Sequence, residues 1–416
     1  MYETFYHNLP NGVQIVHRKT LSPVVYVGLM IGAGTRHEQP EENGMAHYIE
    51  HCLFKGTEHY TARQIINHIE GIGGEINAYT TKEETTFYAA TLNNHFRTTL
   101  HLLADMVLRP TFNKKETDKE VTVILDEIES YNDSPSELIY DDFESLLFEG
   151  SSLAMPILGT KKTLKRISKS PDYPLHWMAQ HYRPERMVLF VQGNVSTKQV
   201  IAAAEKELLS PSPYRPITAS PITHSEASYS QSPIAYSRTY KRHTHQTHIM
   251  LGSHTYPIGH PKQLTMFLLN NILGGGSMSS RLYLSLREKY GLVYNIDSQA
   301  VPLSDTGYWD IYLACEPQHK DQCLELCHKE LQTLRDVRLT SAQLQRALRQ
   351  LEGQLAISAE NQENNALAMA KQMLYHHRAP QWQETFAKVQ KITPEQLQDV
   401  ANEVFAPDKI YTLLYD

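Results

Sequence analysis

Cysteine is scarce in this chain: four residues, Cys52, Cys315, Cys323 and Cys327, in 416, with no CxxC pair. This excludes a disulfide framework and a thiolate zinc knuckle, and it fits a reducing compartment. Long apolar runs are lacking too, since no uninterrupted stretch could span a bilayer. The opening Met1-Tyr2-Glu3-Thr4 has neither the basic nor the apolar region of a secretion signal. The expectation is a soluble, cytoplasmic protein with no membrane partner. An excess of positive charge is also missing. With a formal net charge of -7 and both signs interspersed, there is no basic stripe to neutralise a phosphate backbone, so nucleic acid is not an expected partner.

What is present is enough chain for two large units. YHNLPNGVQIVH places Asn11-Gly12 between alternating apolar residues, the signal of a two-residue hairpin turn. Strands are expected over 24–31, 85–92 and MVLFVQGN, and helices over 44–54, 62–72, beyond Asn113 with a break near Asp133-Ser134-Pro135, and after Ser196. Between about Leu209 and Pro233 the composition turns rich in Pro and Ser, which reads as a linker. The order of elements then recurs: strand THIMLGSH, helices KQLTMFLLNNIL and SRLYLSLREKY, strands LVYNIDSQ and GYWDIYLAC, then long helices to Met373. An internal duplication explains this pattern. Cys323, Cys327 and His328 stand close together, but their run has helical apolar spacing, and core packing is the preferred reading.

His47, Glu50 and His51 stand at i, i+3 and i+4 within ENGMAHYIEHCLFKGT. On a helix the two imidazoles share a face about 6 Å apart along the axis, within reach of one ion. Zinc accepts neutral imidazole without demanding a rigid geometry, and Glu50 on the adjoining flank can reach a water rather than the metal. This is the HxxEH arrangement. A catalytic zinc takes three protein ligands, so a third must come from elsewhere. The run ETDKEVTVILDEIES offers Glu116, Asp118, Glu120, Asp126, Glu127 and Glu129, and periodicity alone does not choose. Glu120 and Glu127, two turns apart, share a face; one could bind metal while the other orients an imidazole. A bare HxxEH also arises by chance, and paired acids are usually a solvated helix face.

The sequence resembles the pitrilysin, insulysin and mitochondrial processing peptidase family, in its short single-chain bacterial form. HYIEHCLFKGT is similar to that family's HxxEHxxFKGT; LPNGV, the NAYTxxExT segment from Asn77 to Thr85, EIESYNDSP, and GGGSMSSRLYLSLREKYGLVY are further matches. The resemblance implies zinc, one per chain, held by His47, His51 and Glu127, the last lying 127 − 51 = 76 residues beyond the second His. It implies Glu50 as general base, Glu120 as the auxiliary acid, and Arg287 and Tyr294 as substrate contacts. Asn77, Ala78 and Tyr79 would offer an edge strand to an extended peptide, with Glu83 nearby. The implied fold is α+β. It comprises two homologous α/β domains, each an antiparallel sheet backed by helices: a catalytic zinc-binding domain over 1–212, a linker over 213–233 and a non-catalytic substrate-binding domain over 234–416. Dimerisation would form a clam-like peptide chamber, with Arg287 and Tyr294 acting in trans in a homodimer. The implied activity is that of a zinc endopeptidase on unfolded peptides; a non-catalytic scaffold of the same fold is the alternative. Cys52 departs from the family's apolar residue and is read as core; His37 and His59 are left as surface or supporting residues.

Overall fold

The strand VVYVGLMI does not alternate apolar with polar, which is what a strand buried on both faces requires. The computed structural model describes residues 3–209, 236–242 and 244–416; the stretch read as a linker lies outside the described residues. The elements run β1 (Thr4–Asn8), β2 (Gln14–Lys19), β3 (Val24–Ile31), α1 (Met45–Leu53), α2 (Ala62–Glu70), β4 (Glu75–Thr80), β5 (Thr85–Leu92), α3 (Phe96–Leu108), α4 (Lys114–Asn132), α5 (Pro135–Leu147), α6 (Lys161–Ile167), α7 (Asp172–His181), β6 (Met187–Gly193) and α8 (Thr197–Leu208). The second half runs β7 (Ser237–Tyr240), β8 (Thr247–Thr255), α9 (Gln263–Leu273), β9 (Val293–Pro302), β10 (Gly307–Cys315), α10 (Lys320–Asp336), α11 (Ser341–Ser358), α12 (Gln362–His376), α13 (Trp382–Val389), α14 (Pro394–Val404) and β11 (Tyr411–Tyr415).

Two sheets result, ordered β1-β2-β6-β3-β5-β4 and β7-β11-β8-β10-β9. In the first, β2 and β6 are parallel and the remaining pairs antiparallel; in the second, β7 and β11 are the parallel pair. Apart from the extra β1, the two sheets match strand for strand in order and sense. The duplication read from the recurring pattern is thus carried by the topology, and the fold is α+β.

Among the described residues the chain forms two compact units, one falling within 1–129, 150–228 and 359–380, the other within 130–149, 229–358 and 381–416. This differs from a division into contiguous halves, because each unit takes one helix from the other half of the sequence. In the first, Val25, Val27, Leu29 and Ile31 join the core under α1 and α3, while Met30, Val188 and Phe190 pack on Met369, Ala370 and Met373 of α12. In the second, Trp309, Ile311 and Leu313 face the core of α9 and α14, and α5 lies on β8 and β11. Both sheets have a second apolar face that water would otherwise wet, and a borrowed helix covers each.

Two expectations are corrected. The β1–β2 connection is five residues, 9–13, and only Gly12 takes a positive φ, 101°. The apolar side chains of Leu9 and Val13 are drawn into the core and close a wider turn through Leu9 N–H to Val13 O. The run SRLYLSLREKY is helical, but Tyr283–Lys289 is wound as a wider π-type turn. No helix of the described residues is long and apolar enough to cross a membrane.

Candidate metal centre

Helix α1 starts at Gly44, whose φ of 91° and close approach to Gly159 leave no room for a side chain. Since Gly44 has no side chain to cap the helix, the buried carboxylate of Glu38 does so, accepting from Gly44 N–H (2.8 Å), Ala46 N–H (2.7 Å) and Asn43 Nδ2 (3.2 Å). Met45, Ala46, Tyr48, Ile49, Cys52 and Leu53 turn into the core. That leaves His47, Glu50 and His51 on the remaining face, as i, i+3, i+4 spacing dictates.

On α4, burial of Val121 and Ile124 orients the helix so that Glu120 and Glu127 turn toward α1. Glu127 Oε2 lies 3.8 Å from His47 Nε2 and 3.6 Å from His51 Nε2. Among the described residues, these three alone bring at least three such ligand atoms within 4.8 Å of one another. The separations are too long for hydrogen bonds. Two donors each about 2 Å from a tetrahedral ion lie about 3.4 Å apart, so the gaps suit a bridging cation. The donor set, two imidazoles and one carboxylate, suits zinc. The imidazole rings stand 4.6 Å apart at 62°. Burial, then the neighbouring His51, lowers the His47 pKa to about 3, so it is held in the neutral, ligating form. Its Nδ1 is buried with no hydrogen-bond partner.

Glu120 does not join the three. It pairs with His51 Nδ1 at 3.2 Å and with Lys55 Nζ at 2.9 Å. That contact leaves His51 Nε2 as the nitrogen facing Glu127. Glu50 stands outside the group, with Oε2 accepting from Thr80 Oγ1 at 2.7 Å. Burial raises its pKa; the Thr80 hydrogen bond and His51 oppose this, and Glu127 adds to it.

Asn77, Ala78 and Tyr79 lie on β4, at the sheet edge, with Ala78 turned to the core and Tyr79 against the Tyr88 ring. Glu83 is buried and ion-paired to Arg36 at 2.6 Å, so its carboxylate is held by a guanidinium. Arg287 and Tyr294 belong to the second unit, where the guanidinium lies 5.0 Å from the Tyr294 ring centroid and Tyr294 is 77% exposed. Cys52 is buried, and burial pushes its thiol up. His59 bonds Asp105 at 2.8 Å and His37 accepts from Arg186 at 2.9 Å. Sequence reasoning missed Thr80, Lys55 and Glu38. Lys55 and Thr80 lay within quoted motifs, but nothing local pointed to their partners; Glu38 had no motif to mark it.

The fold and site therefore define a duplicated α+β protein with a two-histidine, one-carboxylate centre in one half. Comparison with known proteins narrows this. The model of insulinase (peptidase family M16) matches residues 14–161, and that of the peptidase M16 inactive domain matches 172–351. "Uncharacterized zinc protease YmxG" of Bacillus subtilis is 34% identical over 97% of this chain and 96% of its own length. "Uncharacterized zinc protease SCO5738" of Streptomyces coelicolor is 31% identical over 95% and 86%. A protease from Helicobacter pylori has the same fold, with a TM-score of 0.91 at 20% identity over 100% of this chain and 99% of that one. The chain belongs to the peptidase M16 (insulinase) family.

Proposed function

We propose that this protein is a zinc endopeptidase that hydrolyses unfolded peptides, with one zinc per chain held by His47, His51 and Glu127. The observation that carries the reading is the convergence of those three ligand atoms from α1 and α4, with the Glu50 carboxylate beside them but outside the set. Zinc held there would supply Lewis-acid polarisation of a carbonyl and acidify a water. Glu50, with its pKa raised by burial, takes the proton from the attacking water and delivers it to the leaving amine. Glu120 holds the His51 ring in the required tautomer. Asn77, Ala78 and Tyr79 receive an extended peptide along the free edge of β4, where backbone hydrogen bonding tolerates many sequences. Arg287 and Tyr294 contact the substrate from the second unit of a partner copy in a homodimer.

The test is zinc content measured together with cleavage of a generic unfolded peptide, comparing wild type with Glu50→Gln. Zinc in both proteins and hydrolysis only by wild type is the expected result. A zinc-loaded wild type inert on peptides would overturn the reading in favour of a scaffold.

A further inference from the structure

Each threonine hydroxyl has one proton, and in the β4–β5 turn the assignment of two of them is forced. Thr85 Oγ1 donates to Ala33 O at 2.8 Å and is fully buried. Thr80 Oγ1 lies 3.5 Å from Thr85 Oγ1 but 2.7 Å from Glu50 Oε2. An ionised carboxylate only accepts, so the Thr80 proton goes to Glu50. Charge assistance makes this the strong contact of the pair.

The placement of Thr80 gives this bond a purpose. It is the last residue of β4, paired with Thr85 across the hairpin. Strand alternation puts it on the same face as Ile76 and Ala78, which pack into the core below α1. Glu50 is on α1, and its carboxylate accepts this hydrogen bond from across the helix–strand boundary. Without that bond, a glutamate with three side-chain torsions would sample several rotamers beside the metal ligands.

We infer that Thr80 is a positioning residue: its hydroxyl fixes the Glu50 carboxylate and ties the general base to the strand on which the peptide docks. The inference rests on the reading of Glu50 as base. One oxygen of the carboxylate is held by Thr80, and the other is left for the proton in transit. Because Thr80 directly follows Asn77–Tyr79, a peptide that adds to β4 and stiffens it also stiffens the support of the base. Misplacing a catalytic group by about 1 Å costs on the order of a hundred-fold in rate, so losing this hold should appear in turnover more than in binding.

The experiment compares T80V, T80S and T80A with wild type and E50Q on one unfolded peptide, recording kcat, KM and bound zinc. T80V keeps the shape and β-branching of threonine and loses only the donor. Its kcat should fall about ten- to a hundred-fold, with KM within about two-fold and zinc content unchanged, and T80S should recover most of the loss. Adding T80V to E50Q should cost nothing further, because the positioned group is already gone. T80A reads the same way should T80V fold poorly. A folded hydroxyl-free variant with full kcat overturns the inference, as does equal impairment of T80S and T80V, or zinc loss that accounts for the defect. An inert, zinc-loaded wild type overturns the parent reading itself, and the two failures are thereby told apart.

Discussion

His51 is held at Nδ1 by Glu120 while its Nε2 faces Glu127, and Lys55 in turn holds Glu120. Replacing Glu120 with Gln keeps the shape but removes the charge that makes the imidazole a better ligand. Zinc affinity should fall about 10- to 100-fold, read by competition against a chelator. Unchanged affinity would mean that the contact does not tune the ligand. Another histidine, His17 on β2, lies outside the site and reports on pH. Burial, then Lys19, lowers its pKa from 6.5 to about 4. Between those values the unfolded chain binds a proton that the folded chain does not, so the stability this group confers is complete above pH 6.5 and is lost as pH falls toward 4. The slope is at most about 1.4 kcal/mol per pH unit. In urea titrations, the stabilities of wild type and His17→Gln should therefore converge as pH is lowered from 7 to 5. Parallel curves would show that His17 is not the titrating group.

Helix α1 depends on a cap supplied from outside its own sequence. Glu38 satisfies two of its first N–H groups, accepting from Gly44 and Ala46. Glu38→Ala should destabilise the protein by about 1–2 kcal/mol in urea and lower zinc affinity as well, since both histidines are on the capped helix. Loss of stability without loss of zinc affinity would show that the ligands hold their place without the cap. Strand β8 and helix α5 meet at Gly252, where an added Cβ would lie 2.8 Å from Phe143 Cζ and against the Trp309 carbonyl. Gly252→Ala should cost about 1–3 kcal/mol by overpacking, measured by denaturant unfolding. A neutral result would mean that α5 can slide on the sheet.

At the scale of the whole molecule, two sheets of matching order and sense carry one metal-ligand group among the described residues. By topology α9 stands where α1 does, following the corresponding strand, yet QLTMFLLNNIL holds no histidine or acid. The second half thus keeps the architecture without the ligands, while Arg287 and Tyr294 form a cation–π pair of their own. Under the proposed dimer, mixing a Glu50→Gln chain with an Arg287→Ala chain should regenerate one intact site per mixed dimer. Peptide hydrolysis by the mixture, above that of either variant alone, is the expected outcome. No recovery, with mixed dimers confirmed by mass spectrometry, would rule out action in trans.

Much of the fold was legible because it is written at short range. The 307–315 strand and the break at Ser134-Pro135 follow from periodicity and proline chemistry, and the His47–Glu50–His51 face follows from 3.6 residues per turn. The sequence by itself determined that such a face exists and that Glu120 and Glu127 share another. Periodicity did not choose between those acids, because it gives the spacing of residues along one helix and not the distance between two. Only the tertiary structure decided that Glu127 faces both imidazoles while Glu120 bonds one, that Glu38 caps α1, that Thr80 meets Glu50, and that α5 and α12 each cover the sheet of the other half. These are contacts between elements rather than within one, decided by which apolar faces must be buried together, and the periodicity of a single helix or strand does not encode that pairing.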